Sequence, residues 1–268
     1  MSNSSVGSLS SSLLSSSSSS SVDRIEFGSN SVCADTGCAP DQGEAVKIVR
    51  GHGKVNKTPQ VRIMAFGDSL TAGYRTTFQE YTPYAATVEA EAAAAGLDGV
   101  KVEEWGLPGE ITEAMTHRID EALEMAGLPV YDIAIILGGT NDLARRIPPA
   151  DVNANLAQIH AKCHAAGILT TVALGIPEHY QMHKFGGTFA TARAEVNHFL
   201  ESELAASTDG NVIYLSLDDA VTYFDADGLK RHDAELFWAG IHFTAAGYER
   251  IGKFVFDALL QRGLLSQP

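Results

Sequence analysis

Apolar residues follow two rhythms along this chain, and the switches between them mark its elements. VRIMAFG (61–67) is a short apolar run ending at glycine, as a buried strand does. A loop and a helical stretch, YAATVEAEAAAAG (84–96), come next. VKVEEWG (100–106) predicts a second strand and ITEAMTHRIDEALEMAG (111–127) a second helix. YDIAIILGG (131–139) is the strongest strand, continuous, β-branched and apolar on both faces. A helix over 151–166, the strand ILTTVALG (168–175), a helix near 188–206 and the strand NVIYLSL (211–217) follow. A last helix runs from about Thr244 to Leu260, with Thr244 placed to cap it.

Strands that alternate with amphipathic helices, and that are apolar on both faces, predict a parallel sheet covered on both sides. The expected fold is α/β: a three-layer α/β/α sandwich around a flavodoxin-like, five-stranded parallel sheet. In such a sheet, ligands bind outside the carboxyl ends of the strands. The chemistry should therefore stand just after each strand.

The first 22 residues are almost all serine, with Leu13 and Leu14 as an isolated apolar pair. That composition cannot build a core. It also lacks the basic start and continuous apolar stretch of a signal peptide, and no run suits a membrane span. Residues 1–59 read as a Ser-rich disordered tail and linker, and 60–268 as one domain. The composition, 45% hydrophobic over 268 residues, suits a single substantial core. The net charge of −14 disfavours nucleic acid and anionic lipid surfaces. Three cysteines make no disulfide scaffold: Cys33 and Cys38 either bridge or stay free, and Cys163 lies in a helical pattern.

Four segments fall at the same edge of the sheet: AFGDSLTAGY (65–74), EEWGLPGE (103–110), LGGTND (137–142) and WAGIHFT (238–244). Ser69 leaves a buried strand at a sharp exit, where its hydroxyl can point out of the sheet edge. A serine hydroxyl needs a base to become a nucleophile. His242, in a loop ahead of a helix, is that candidate base. Read alone, Ser69 is a turn or capping serine, Gly106 and Gly109 are turn glycines and Asn141 makes an Asx-turn.

Taken in order, GDSL, GxxG, GxND and GxH resemble the sequence blocks of the SGNH, or GDSL, hydrolase superfamily over about residues 60–262. The resemblance implies Ser69 as nucleophile and His242 as base. The N–H groups of Ser69 and Gly106 and the Asn141 side-chain amide become oxyanion donors. Asp68 and Asp142 become braces for the loops. The superfamily usually carries Asp three residues before the histidine, and here Ala239 stands there. An alanine can neither fix the imidazole tautomer nor stabilise the imidazolium. Three arrangements are open. The chain is an inactivated Asp-to-Ala variant; or a backbone carbonyl near Trp238 or Ala239 accepts the Nδ1 proton of a Ser–His dyad; or Asp233 or Glu235 folds back to serve.

Other histidine pairs carry less. His179 and His183 are four apart but lack the glutamate and third ligand of a zinc site. His160 and His164 read as two exposed helical histidines. Residues 176–187 read as a rim loop offering Tyr180, Met182 and Phe185 to a substrate, or as a staple onto the next helix.

The function expected is a serine ester hydrolase for small or short-acyl carboxylic esters, working through an acyl-enzyme on Ser69. Its activity is impaired if position 239 is an emptied acid site. No metal or organic cofactor is implied, and the partner is a small-molecule ester. The rival is a non-catalytic ligand-binding protein on the same scaffold, which Ala239 favours.

Overall fold

Five parallel strands form the centre of the molecule. In chain order the strands are β1 (Val61–Gly67), β2 (Tyr74–Arg75), β3 (Glu80–Tyr81), β4 (Val100–Gly106), β5 (Ile133–Leu137), β6 (Thr170–Leu174), β7 (Val212–Leu215), β8 (Trp238–Ala239) and β9 (His242–Phe243). The main sheet runs β4-β1-β5-β6-β7, while β2–β3 and β8–β9 are small antiparallel hairpins. The computed structural model describes residues 61–76, 79–127, 131–179, 187–207 and 210–265. The serine tract, Cys33, Cys38, Tyr180, Met182, His183 and Phe185 lie outside these.

Each strand feeds two cores because its side chains alternate in direction. From β1, Ile63 and Ala65 join one apolar cluster, whereas Met64 and Phe66 join the other. The first cluster is closed by helices α2 (Tyr84–Ala94) and α7 (Ala245–Gln261). The second is closed by α3 (Thr112–Met125), α5 (Pro149–Ala165) and α6 (Gly187–His198). Burial on both faces explains why the inner strands β1, β5 and β6 read as apolar runs, while the edge strand β4 keeps Lys101, Glu103 and Glu104. The three-layer α/β/α sandwich expected from the sequence is the fold observed.

The strand order places β1 between β4 and β5, so successive connections leave it in opposite directions. That is the switch point of a doubly wound sheet, where a crevice opens at the strand ends. Two short helices open directly from these ends: α1 (Ser69–Ala72) after β1 and α4 (Thr140–Ala144) after β5. The strand predicted to 139 stops at Leu137, because Gly139 turns the chain at φ +108°.

The predicted helix over 188–206 divides into α6 and a π-helical stretch, Phe199–Leu204. Thr244 caps α7 as expected, accepting the Gly247 N–H at 3.2 Å. Two hairpins and a one-turn helix, Ala234–Phe237, are too short to leave a periodic signal in the sequence.

One expectation is overturned. His160 is not exposed: it is buried, and His164 is half-buried beside it. Thr171 on β6 makes this possible, its hydroxyl standing 2.7 Å from His160 Nδ1 and 3.4 Å from His164 Nε2. Burial, and secondarily His164, push the His160 imidazole down to about 3, so it is held neutral.

Candidate active site

The chain after β1 must turn sharply to begin α1. Asp68 makes that turn as the helix N-cap, its Oδ1 accepting the Leu70 N–H at 2.9 Å. Ser69 therefore opens the helix, and Gly73 ends it at φ +73°. The Ser69 hydroxyl is buried at the crevice.

His242 arrives from the far end of the chain. It lies on β9, held by the β8–β9 hairpin, whose turn contains Gly240 at φ +79°. The hairpin is anchored by aromatic packing: Phe243 meets Trp238 at 4.0 Å and Tyr248 at 5.3 Å between ring centres. This places His242 Nε2 at 2.9 Å from Ser69 Oγ. The two side chains, 173 positions apart, are within hydrogen-bonding distance.

The other ring nitrogen answers the question raised by Ala239. Nδ1 lies 2.7 Å from the Thr76 hydroxyl, on the segment leaving β2. Ala239 is the cross-strand partner of His242 and offers only a methyl group. Asp233 is bonded to Arg231 at 3.0 Å, and Glu235 pairs with Lys230. Neither carboxylate turns toward the imidazole, so the rescue by Asp233 or Glu235 is corrected. Nor does a carbonyl at 238 or 239 bond Nδ1; a side-chain hydroxyl does. Tyr74 packs its ring edge-on against the imidazole at 5.1 Å. Burial lowers the His242 pKa below the ordinary imidazole value.

The remaining residues meet at the same rim. Asn141, on α4, donates through Nδ2 to Asp68 Oδ2 at 3.2 Å and to the Glu110 carbonyl at 2.9 Å. Asp142 accepts the Thr112 N–H at 3.0 Å and its hydroxyl at 2.6 Å. Both aspartates thus tie one strand-end loop to the next. Burial, reinforced by Asp142 and Glu110, pushes the Asp68 carboxyl up to about 7 against the opposing Leu70 bond. Gly106 leaves no room for a side chain, since a Cβ there meets Ala72 N at 2.1 Å. Its N–H is taken by the Glu104 carboxylate. Gly109, at φ +82°, faces open space.

Three residues at this site escape a reading by motif. Arg118 on α3 gathers the ends of β1 and β4 at once. It donates to the Trp105 carbonyl at 3.1 Å, the Gly67 carbonyl at 3.0 Å and Glu110 Oε1 at 2.8 Å. Its guanidinium also covers the Phe66 ring at 4.2 Å. Glu110, its buried partner, is the second, and Thr76 is the third. Spacing along the chain carries no signal for any of these contacts. His179, after β6, packs edge-on against Phe189 at 5.0 Å between ring centres. Among the described residues, no group of three His, Cys, Asp or Glu side chains is placed to hold a metal.

A serine and an imidazole within hydrogen-bonding distance at the switch point of a doubly wound sheet form an arrangement that suits a hydrolase. Over residues 65–250 the chain matches the GDSL-like lipase/acylhydrolase family. The protein belongs to that family. A lipase/acylhydrolase from Enterococcus faecalis superposes with a TM-score of 0.60 at 26% identity, covering 75% of this chain and 96% of that one. AlinE4, an SGNH-hydrolase family esterase, gives 0.51 at 26% identity over 75% and 96%. The psychrotrophic esterase EstA from Pseudoalteromonas shares the fold at 18% identity, with a TM-score of 0.53 over 75% and 98%. No curated protein matches the sequence significantly.

Proposed function

We propose that the protein is a serine hydrolase of small or short-acyl carboxylic esters, acting through an acyl-enzyme on Ser69. The observation that carries this reading is the 2.9 Å approach of His242 Nε2 to Ser69 Oγ. At that distance the imidazole can take the hydroxyl proton as Oγ attacks the acyl carbon. The imidazolium then returns the proton to the departing alcohol. Water enters, gives its proton to the same nitrogen as it attacks the acyl carbon, and the imidazolium passes that proton to Ser69 Oγ as the acid leaves.

Charge develops on the former carbonyl oxygen, and donors must face it. Ser69 opens α1, so its N–H is among the first-turn donors that a helix leaves unpaired. Asn141 Nδ2 is held by Asp68 and the Glu110 carbonyl, and its longer bond, to Asp68 at 3.2 Å, is the one it gives up to reach an oxyanion. Gly106 serves as a donor only when Glu104 swings off its N–H. The family and the two neighbours at 26% identity, named as a lipase/acylhydrolase and an esterase, support the reaction class.

A fluorophosphonate probe tests the reading. Labelling that maps to Ser69 and vanishes in Ser69→Ala, alongside hydrolysis of a short-chain nitrophenyl ester, is the expected result. Binding of an ester with no labelling supports the non-catalytic alternative, which Ala239 favours.

A further inference from the structure

We infer that Thr76 is the positioning residue of the catalytic histidine, taking through its hydroxyl the place that a carboxylate at position 239 leaves vacant. The inference deepens the ester-hydrolase reading and rests on it. Its basis is a chain of two contacts through one ring: Thr76 Oγ1 to His242 Nδ1 at 2.7 Å, and His242 Nε2 to Ser69 Oγ at 2.9 Å.

A neutral imidazole has one N–H and one lone pair. To act as a base toward Ser69, the lone pair must be on Nε2 and the proton on Nδ1. The Nδ1 proton then needs an acceptor, and the Thr76 oxygen is the atom within reach. The same oxygen accepts from Nδ1 after the ring is protonated, when both nitrogens donate. Asp233 and Glu235 are occupied by Arg231 and Lys230, the Ala239 side chain has no polar atom, and the partner bonded to Nδ1 is Thr76 rather than a carbonyl at 238 or 239.

A hydroxyl does this work differently from a carboxylate. A carboxylate only accepts, so it compels the Nδ1–H tautomer, and its charge stabilises the imidazolium. A hydroxyl both donates and accepts. It permits the productive tautomer without excluding the other, in which Thr76 donates to Nδ1 and Nε2–H points at Ser69. Thr76 therefore sets the ring's direction while leaving its charge without a counter-ion.

The contact has a structural support. Tyr74, two residues before Thr76, accepts the Tyr248 hydroxyl on its carbonyl at 2.9 Å, which ties the β2 hairpin to α7. The Tyr74 ring also packs on Tyr81, at 5.5 Å between centres, across the β2–β3 pair. The segment carrying Thr76 is thus fixed to the helix that follows His242.

The test compares Thr76→Val and Thr76→Ser with the unaltered protein. Valine keeps the shape and deletes the hydroxyl, while serine restores it. The expected result for Thr76→Val is a fall in kcat of about tenfold with KM unchanged, the size of one lost hydrogen bond. Recovery is expected in Thr76→Ser. Nitrogen NMR of His242 supplies a readout that folding alone does not move: the Nδ1–H tautomer is populated in the unaltered protein, loses population in Thr76→Val and regains it in Thr76→Ser. Unchanged kcat together with an unchanged His242 spectrum in Thr76→Val overturns the inference. If the unaltered protein shows no labelling at Ser69, the ester-hydrolase reading fails instead, and the NMR signature still decides whether Thr76 directs the ring.

Discussion

The two halves of the crevice are built from opposite materials. The nucleophile's half holds three buried carboxylates, Asp68, Glu110 and Asp142, and each is engaged by backbone N–H groups, hydroxyls or a guanidinium. The histidine's half meets His242 with a hydroxyl, an aromatic edge and a methyl-bearing neighbour, and among the described residues no carboxylate bonds its ring. Carboxyl groups thus hold the loops together, and among the described residues none stands where a Ser–His–Asp triad would place one. The difference separates two tasks that one triad aspartate performs together, directing a histidine and balancing its charge. Here the first is done by Thr76 and the second is left undone.

Breaking the nucleophile's half should cost most. Arg118→Met leaves Glu110 as a buried carboxylate without its cation and releases the Gly67 and Trp105 carbonyls. Removing one partner of a buried pair costs about 3–5 kcal/mol. Chemical denaturation should show a loss of that size, and a loss below about 1 kcal/mol means that the clamp is ornamental.

Supplying the missing charge is the next step in size. Ala239→Asp places a carboxylate directly across the hairpin from His242. Turnover of a short-chain nitrophenyl ester should rise about 10- to 100-fold, part of the roughly 10⁴ that a full triad acid contributes. The His242 pKa now lies below its ordinary value because of burial, so the acid limb of kcat/KM falls below the ordinary imidazole range. A nearby carboxylate favours the charged ring and moves that limb to higher pH. An unmoved limb with unchanged turnover shows that the position never faced the ring.

The smallest effect concerns stability against pH. His160 binds its proton near 3 when folded and near 6.5 when unfolded, so the unfolded chain takes up the proton first as pH falls. Stability from this site is whole above about 6.5 and declines by about 1.4 kcal/mol per pH unit below it. Asp68, raised from 3.8 to about 7, acts in the other direction, since the folded chain holds its proton longer. The two slopes offset each other between about 4 and 6.5. The informative quantity is the difference between the unaltered protein and His160→Leu measured at pH 7 and pH 5. That difference should shift against the unaltered protein at pH 5 by roughly 2 kcal/mol.

Legibility followed the same divide between the two halves. β1 and β5 are legible because burial on both faces leaves an unbroken apolar run, whereas the edge strand β4 alternates apolar with charged residues. Ser69, Asn141 and His242 stand out as candidates because each is at the end of a predicted element with recognisable neighbours. Thr76 was not, because its role depends on a partner 166 positions away and on a hairpin of two-residue strands. Arg118 reads as an ordinary charged residue on an amphipathic helix until the strand-end carbonyls are placed around it. His160 reads as exposed because the Thr171 hydroxyl, which makes its burial tolerable, belongs to the next strand.

The most direct measurement is the rate at which a fluorophosphonate modifies Ser69, followed across pH by mass spectrometry in the unaltered protein and in His242→Gln. An imidazole that activates the serine without a counter-ion predicts one adduct, on Ser69. Its rate should rise to a plateau with a midpoint below the ordinary imidazole value and collapse in His242→Gln. No adduct at Ser69, or an equal rate without the histidine, contradicts the account.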